Sequence, residues 1–411
     1  MQGAVKGAWH LLPLGVRSKL GRFVHTRIQP TVSRFRGYRP VLEAVPAGAP
    51  LVIAGMFRSA SGLGEAARAT AAAVSEVGFS PIVLDITERL APCDFHYEGE
   101  TSSVLPDASH GTLILHVNAP ETYVILRQIG ALDKKNWRVI GYWAWELPTL
   151  PKEWAPAFKL VSELWTLSDY SAQAIRSHPR SCKVNVVPIA VTPPTQLTRG
   201  REEFGLRSNA FVVLTMGDAR SSFDRKNLVG AIRVFKTAFG RNENYQLIVK
   251  TRNMNDQPEF KSLLTDAIDH YSNITLLDKS ITDTERWHLL DACDTVLSVH
   301  RAEGFGLPMA EAMALGKPVV ATGYSGNMSF MDNQTAMLVP FELVPVNDRF
   351  GIYKSNYGNW AEPNLGIAAE HLRRLSEDHE LRAQLGAAAK AQIEKLCSLC
   401  SVGGKMRELL G

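Results

Sequence analysis

Short apolar runs alternate with helical segments along most of this chain. One such segment, from Leu63 to Val77, carries its apolar residues on a single face at helical spacing. The runs themselves are apolar on both faces, which is typical of strands buried inside a parallel sheet. In the first half they are LVIAGMF (51–57), PIVLDI (81–86), GTLILHV (111–117), WRVIGYWAW (137–145), ELWTLS (163–168) and VNVVPIAV (184–191).

The alternation stops at Pro188 to Gly200, a proline- and threonine-rich stretch that we interpret as a linker, and then restarts. The second set of runs is FVVLTMG (211–217), YQLIVKT (245–251), NITLLD (273–278), DTVLSVH (294–300), PVVAT (318–322) and AMLVP (336–340). This pattern predicts two doubly wound, Rossmann-like α/β domains facing a cleft. The predicted divisions are a basic N-terminal segment (1–45), a first domain (46–195), a second domain (205–380) and a helical tail (381–411).

Composition narrows the class of protein. The chain has 411 residues, 45% of them hydrophobic and 21% charged, which indicates an ordinary globular protein with sizeable cores. The net charge of +4 gives no indication of a nucleic-acid partner, and no apolar run is long enough to cross a bilayer. Five scattered cysteines suit a reducing cytoplasm.

The first forty residues are strongly basic and contain no acid before Glu43. Leu20, Phe23, Val24 and Ile28 recur at helical spacing, which predicts a basic amphipathic helix. Such a helix can lie on an anionic membrane surface, or it can pack on the first domain or form an arm. We therefore expect a cytoplasmic protein and leave two alternatives open for residues 1–40: peripheral contact with the inner face of the membrane, or a place on the first domain or in an arm.

The richest motif is HRAEGFGLPMAEAMALGKPVVATGYSGNMSF, residues 300–330. A glycine loop here joins a buried strand to a helix, and free backbone N–H groups and the helix dipole make such a junction an anion site. Glu303 and Glu311 flank the loop and can accept hydrogen bonds from hydroxyls, and we place Glu311 in the first helical turn. A sugar attached to a phosphate is the expected ligand, and His300 at the strand tip is expected to line its site.

This motif resembles the signature of the retaining glycosyltransferases of family 4, which have the GT-B fold; the resemblance spans about residues 51–375. It implies that Glu303 binds hydroxyls of the donor sugar and Glu311 the nucleotide ribose. It also implies that the last helix crosses back to the first domain. The loop residues implied to offer backbone N–H groups to the sugar and phosphate are Gly304, Phe305, Gly306 and Leu307.

A departing diphosphate needs positive charge, which either a metal ion or fixed cations can supply. The sequence has no Asp-x-Asp motif, so we expect no metal site and no cofactor. Arg220, Arg225 and Lys226 follow the first strand of the second domain and are the candidate cations. The resemblance implies an arginine and a lysine on the phosphates here, and it assigns these roles to Arg220 and Lys226. Related enzymes often have Gly-Arg where this chain has Gly217-Asp218.

The first domain has a second glycine loop between a strand and a helix. A lone Gly-x-Gly also occurs in dinucleotide-binding dehydrogenases, but the motif of the second domain decides against that class. His116 and Asn118 end another strand, and the resemblance implies that a histidine at this place contacts the donor sugar. The residues expected to contact a phosphate or the acceptor are Ser61, Gly62, Leu63, Gly64 and Asn118.

These features predict a retaining, metal-independent glycosyltransferase that uses a nucleotide-diphosphate sugar and a saccharide or lipid-linked acceptor, in polysaccharide or glycolipid assembly. The predicted catalytic residues are Lys226, Arg220, Glu303 and His116. Two alternatives remain open. One is another GT-B enzyme, such as a nucleotide-sugar epimerase or a phosphorylase, and the other is a non-catalytic scaffold that binds a sugar nucleotide.

Overall fold

The computed structural model describes residues 41, 46, 48–134, 136–198 and 200–411. The predicted basic amphipathic helix around residues 20–28 lies outside this part of the chain. No helix among the described residues is both long and apolar enough to cross a membrane.

The first half of the chain forms a six-stranded parallel sheet in the order β2-β1-β3-β4-β5-β6. All six strands coincide with the predicted apolar runs. Their bounds are β1 Leu51–Gly55, β2 Ile82–Asp85, β3 His110–Leu115, β4 Asn136–Trp143, β5 Glu163–Thr166 and β6 Val184–Val186.

The second half repeats this architecture in the order β12-β11-β10-β7-β8-β9, again with every strand parallel. Two doubly wound α/β units are thereby confirmed. Their strands are β7 Phe211–Met216, β8 Tyr245–Thr251, β9 Ile274–Asp278, β10 Thr295–Ser298, β11 Val319–Thr322 and β12 Met337–Val339.

Helices cover both sheets. The bounds within the described residues are α1 Gly62–Glu76, α2 Thr87–Leu90, α3 Ala119–Gln128, α4 Asp169–Arg176, α5 Phe223–Lys226, α6 Leu228–Phe239, α7 Pro258–Ile268, α8 Asp283–Ala292, α9 Leu307–Ala314, α10 Leu365–Glu377, α11 His379–Cys397 and α12 Leu399–Leu410.

An antiparallel hairpin after the second sheet was not predicted from the sequence. Its strands are β13 Phe341–Pro345 and β14 Asn359–Pro363, and β13 has no alternating apolar face, because Glu342 and Leu343 are both exposed. The connecting segment reaches the first sheet, where Tyr353 and Tyr357 pack edge-on against the ring of Trp145.

Each sheet has a point where the strand order reverses. In the first sheet β1 lies between β2 and β3, and in the second sheet β7 lies between β8 and β10. The loops that leave neighbouring strands at such a point diverge to opposite faces and leave a crevice at the carboxyl ends of the strands. The fold therefore predicts ligand sites after β1 and β3 and after β7 and β10.

The C-terminal tail returns to the first sheet. Helix α12 packs on α1, and the backbone N–H of Val191 donates to the carbonyl oxygen of Cys397 at 2.7 Å. Arg138 donates to the carbonyl oxygen of Leu409 at 2.7 Å and therefore holds the end of α12 against β4. Close approach of the two helices depends on Gly403, since a Cβ atom there would lie 2.2 Å from the carbonyl oxygen of Ala73.

We predict that Gly403→Ala lowers the free energy of unfolding by about 1–3 kcal/mol, because the added methyl group must push α12 away from α1. Thermal or urea unfolding measures this change. Gly404→Ala is the matched control, because a Cβ atom at Gly404 meets nothing within 4 Å. Alanine favours the helix at that position, so the control should be neutral or more stable by about 0.5–1 kcal/mol. Equal stability of the two variants would contradict this account of the contact.

Candidate functional site

A cavity of about 770 Å³ lies between the two sheets, at the carboxyl ends of their strands. Loops after β1, β4, β7, β8, β9 and β10 contribute to its wall. The structure brings most of the predicted site residues to this wall. They are Ser61, Gly62, Leu63, Asn118, Arg220, Arg225, Lys226, Glu303, Gly304, Phe305, Gly306, Leu307 and Glu311.

Neither predicted histidine lies on the cavity wall, in contrast to the sequence prediction. His116 is fully buried, and its ring stacks on Tyr142 at a centroid distance of 4.3 Å. Burial lowers the pKa of His116 to about 3, so the imidazole is neutral. His300 is also fully buried, and burial lowers its pKa to about 4. Both residues follow strands whose side chains alternate between faces, and the sequence alone does not indicate which face the last residue takes.

Gly64 also lies away from the wall, although the sequence prediction placed it in the phosphate loop. It belongs to the first turn of α1, and its N–H donates to the side-chain oxygen of Ser61 at 3.2 Å, which caps the helix. A Cβ atom at Gly64 would lie 2.3 Å from the carbonyl oxygen of Ser59. The glycine therefore permits close packing of the loop and has no N–H left for a ligand.

Glu303 and Lys226 form the central pair of the site. Lys226 Nζ lies 2.6 Å from Glu303 Oε1, and both side chains are mostly buried. Burial by itself would raise the pKa of Glu303, but the positive charges of Lys226 and then Arg225 outweigh it and lower that pKa to about 2. Glu303 is therefore a carboxylate throughout the physiological pH range, able to accept hydrogen bonds from hydroxyl groups.

Arg225 holds this pair in place. Its Nη1 donates to the carbonyl oxygen of Ala302 at 2.7 Å and lies 3.1 Å from Glu303 Oε2, while Nη2 donates to Ser221 Oγ at 2.9 Å. Its side chain is only 4% exposed. With these donors used, the side chain positions Glu303 and the start of the glycine loop.

The glycine loop offers unused donors. The structure records no hydrogen bond from the N–H groups of Gly304, Phe305 and Gly306 to another described residue. Gly306 has a φ of 96°, in the left-handed region that glycine adopts without strain, and α9 begins at the next residue. These N–H groups and the start of α9 together form the anion cradle that the motif predicts.

Glu311 lies deeper than predicted. It is the fifth residue of α9, in the second turn, because the helix begins at Leu307. Glu311 Oε1 lies 2.8 Å from Arg286 Nη2, and Oε2 has no partner among the described residues. Burial raises the pKa of Glu311 to about 8; Arg286 only partly offsets this, and the nearby carboxyl groups of Glu65 and Asp283 add to the rise.

Four cations of the wall were missed by sequence reasoning. They are Arg68, Lys250, Arg252 and Arg286. Lys250 is the last residue but one of β8 and Arg252 follows the strand, so the rule that places ligands at the carboxyl ends of the strands applies to both. Burial, and then the charge of Arg252, lower the pKa of Lys250 to about 8. Arg68 and Arg286 lie on helices, and no sequence signal distinguishes them from surface arginines.

Side chains from both sheets meet at this cavity. Ser168 Oγ, at the start of α4, donates to the carbonyl oxygen of Gly304 at 2.6 Å. Tyr353 Oη donates to Glu146 Oε2 at 2.9 Å, which connects the segment before β14 with the loop after β4. Contacts between the two halves of the chain therefore border the cavity at Gly304 and Glu146.

Two parallel α/β sheets facing a cleft, with an anion cradle at the second switch point, are the arrangement of the GT-B class of proteins. Solved structures of this class match the chain. A glycosyltransferase from Rickettsia africae is 14% identical, with a TM-score of 0.61, covering 88% of this chain and 98% of its own. Anabaena Alr3699/HepE in complex with UDP-glucose is 14% identical, with a TM-score of 0.59, covering 88% and 99%.

A mutant of TarM from S. aureus, in complex with fondaparinux, alpha-GlcNAc-glycerol and UDP, is 14% identical, with a TM-score of 0.54. The match covers 74% of this chain but only 56% of TarM, so the chain spans little more than half the length of that relative. Identities this low establish the fold alone.

Residues 166–393, more than half of the chain, match the family described as "Family 4 Glycosyltransferase in conflict systems", and the chain belongs to this family. No curated protein matches its sequence. The predicted family and GT-B fold are thereby confirmed.

We predict that Glu311→Gln becomes more stable relative to the wild type as the pH rises from about 5 to about 8. A carboxyl group with a pKa of about 8 in the folded protein, against 4.5 as its ordinary value, binds its proton more tightly when folded. This tighter proton binding contributes fully to the stability of the wild type below the unfolded pKa of 4.5, and the contribution is lost as the pH rises to the folded pKa of about 8. Glutamine carries no such proton.

The measurement is the difference in Tm between variant and wild type at a series of pH values. The exposed residue Glu370 provides the control, and Glu370→Gln should give a flat difference. A difference that stays flat between about pH 5 and about pH 8 for Glu311→Gln would show that Arg286 keeps this carboxylate charged.

Proposed function

We propose that this chain is a retaining glycosyltransferase that requires no metal ion and transfers a sugar from a nucleotide-diphosphate sugar to a saccharide or lipid-linked acceptor, in polysaccharide or glycolipid assembly. The observation that carries the proposal is the pair of Lys226 and Glu303 beside the unused N–H groups of Gly304 to Gly306. This part of the cavity wall combines a fixed positive charge with a carboxylate that can accept hydrogen bonds from the hydroxyls of a sugar.

The donor is assigned to the wall formed by the second sheet. The carboxylate of Glu303 suits the hydroxyls of the sugar, and the N–H groups at the start of α9 suit the phosphates. Lys226 Nζ neutralises the diphosphate as its negative charge grows, which lowers the barrier to departure. HepE has been solved with UDP-glucose, and this supports uridine sugars as the first donors to test.

The acceptor is assigned to the wall formed by the first sheet, around Ser61, Gly62 and Asn118. Its hydroxyl oxygen bonds to the anomeric carbon as the bond from that carbon to the diphosphate breaks. The acceptor proton passes to the departing phosphate oxygen on the same face of the sugar, so the configuration is retained. Closure of the two halves around the substrates excludes water that would hydrolyse the donor.

One observation favours the scaffold alternative: Asp218 stands where related enzymes often carry an arginine. A scaffold should bind a nucleotide sugar and neither hydrolyse nor transfer it with any acceptor. Turnover in the wild type and in Glu303→Ala separates the two functions. An enzyme should turn the donor over and lose rate in the variant, whereas a scaffold should show no turnover in either protein.

We predict that Lys226→Ala lowers donor turnover by ~10²-fold or more, the usual scale for removing one preorganised charge donor. Donor hydrolysis and transfer, followed by release of nucleoside diphosphate, measure the rate. Lys390→Ala removes the same charge from the exposed surface of α11 and should leave the rate unchanged. An undiminished rate in Lys226→Ala would remove this lysine from the mechanism.

We also predict that excess chelator leaves turnover within about twofold, because fixed cations carry the charge of the diphosphate. The anomeric configuration of the product, read from proton coupling constants, should match that of the donor. Reversible loss of activity on chelation would argue for a metal-dependent enzyme, and an inverted product would exclude the same-face mechanism.

A further inference from the structure

Arg252 occupies a distinctive position in the cavity wall. It follows the carboxyl end of β8, next to β7 in the second sheet, and its side chain is 20% exposed. Its Nε and Nη2 lie 2.7 Å and 2.6 Å from Asp218 Oδ2. Nη2 also donates to the carbonyl oxygen of Ala60 at 2.9 Å, in the glycine loop of the first domain. The guanidinium group therefore lies where the two halves of the chain meet.

The hydrogen-bond donors of Arg252 are only partly used. A guanidinium group has five N–H bonds, one on Nε and two on each Nη atom. The contacts with Asp218 and Ala60 account for the donors of Nε and Nη2. The structure records no hydrogen bond or ion pair from Nη1 to another described residue. Nη1 can thus present its two N–H donors to a ligand while the rest of the group stays anchored.

Asp218 is itself fixed in orientation. Its Oδ1 accepts hydrogen bonds from the backbone N–H of Arg220 at 2.9 Å and from Asn253 Nδ2 at 3.0 Å, while Oδ2 faces Arg252. Both oxygens are therefore engaged, and the carboxylate determines where the guanidinium group of Arg252 lies. The aspartate that departs from the Gly-Arg pattern is the residue that positions a cation from the neighbouring strand.

Arg220, the arginine expected from the sequence, is held less firmly. Its side chain is 40% exposed and pairs with Asp256, which is itself 49% exposed. Pairs in such surroundings are screened by water and hold their geometry weakly. The ion pair of Arg252 and Asp218 is about half as exposed and carries the additional bond to Ala60.

We propose that Arg252, positioned by Asp218, binds the diphosphate of the donor and links the donor site to the loop of the first domain at Ala60. Arginine suits this role because its guanidinium group is permanently charged and can donate charge-assisted hydrogen bonds to phosphate oxygens from Nη1 while its other two nitrogens stay bound to the protein. The inference rests on the proposed function, since it requires a diphosphate ligand in this cavity. Lys226 and Arg252 then supply two fixed positive charges from neighbouring strand ends.

The test begins with a thermal-shift panel of UDP, GDP, ADP, TDP and CDP on the wild type. Calorimetry then gives the Kd of the nucleoside diphosphate with the largest shift, and the Kd of its nucleoside. Arg252→Ala should weaken diphosphate binding by roughly 10- to 100-fold, the scale of losing charge-assisted hydrogen bonds. Binding of the nucleoside should stay the same, because it has no phosphate.

Two comparison variants sharpen the result. Arg233→Ala removes one positive charge from the exposed face of α6 and should leave both Kd values unchanged. Arg220→Ala should weaken diphosphate binding less than Arg252→Ala does. If Arg252→Ala does not fold, Arg252→Gln serves instead, because its amide can still bond to Asp218 while carrying no charge. It should show the same selective loss.

The possible results distinguish a failure of the proposed function from a failure of the role proposed for Arg252. A wild type that binds none of the five diphosphates overturns both the proposed function and the role of Arg252. A wild type that binds one of them, with an equally tight Arg252→Ala or Arg252→Gln variant, overturns only the role of Arg252. Equal weakening of diphosphate and nucleoside binding also overturns it, because a purely structural residue would act in that way.

Discussion

The organisation of the site depends on one buried carboxylate and the two cations that compensate its charge. Glu303 is almost completely enclosed, and an isolated carboxylate in such surroundings would take up a proton. Lys226 and Arg225 prevent this, and Arg225 also fixes the backbone at Ala302. These three charged side chains together keep Glu303 ionised, fix the start of the glycine loop and place Lys226 at the cavity wall.

The contacts between the two sheets extend this constraint across the molecule. Ser168 of the first half donates a hydrogen bond to the carbonyl oxygen of Gly304, and Arg252 of the second half donates one to the carbonyl oxygen of Ala60. Each half of the chain therefore binds the glycine loop of the other. The returning helix α12 adds a larger packed contact on α1. A ligand that enters the cavity thus meets a wall whose two sides are already linked by directional bonds.

Some of the site could be predicted because its residues are neighbours in sequence. Glu303, the glycine loop and the start of α9 follow one strand, and the position of a strand end determines where they lie. The pairing of Asp218 with Arg252 spans 34 positions and could not be read from any local pattern. The burial of His116 and His300 was also missed, since strand periodicity becomes ambiguous just beyond the end of a strand.

The order of apolar strands and helices along this chain was sufficient to determine its two parallel sheets, because buried strands need continuous apolar runs and helices need one apolar face. The glycine loop was likewise evident, since only glycine accepts the backbone angles that the turn requires. The protonation of Glu311, the choice of cations and the anchoring of Arg252 were decided only by the tertiary structure. They depend on burial and on charges brought together from distant parts of the chain, and these quantities exist only once the two sheets have packed.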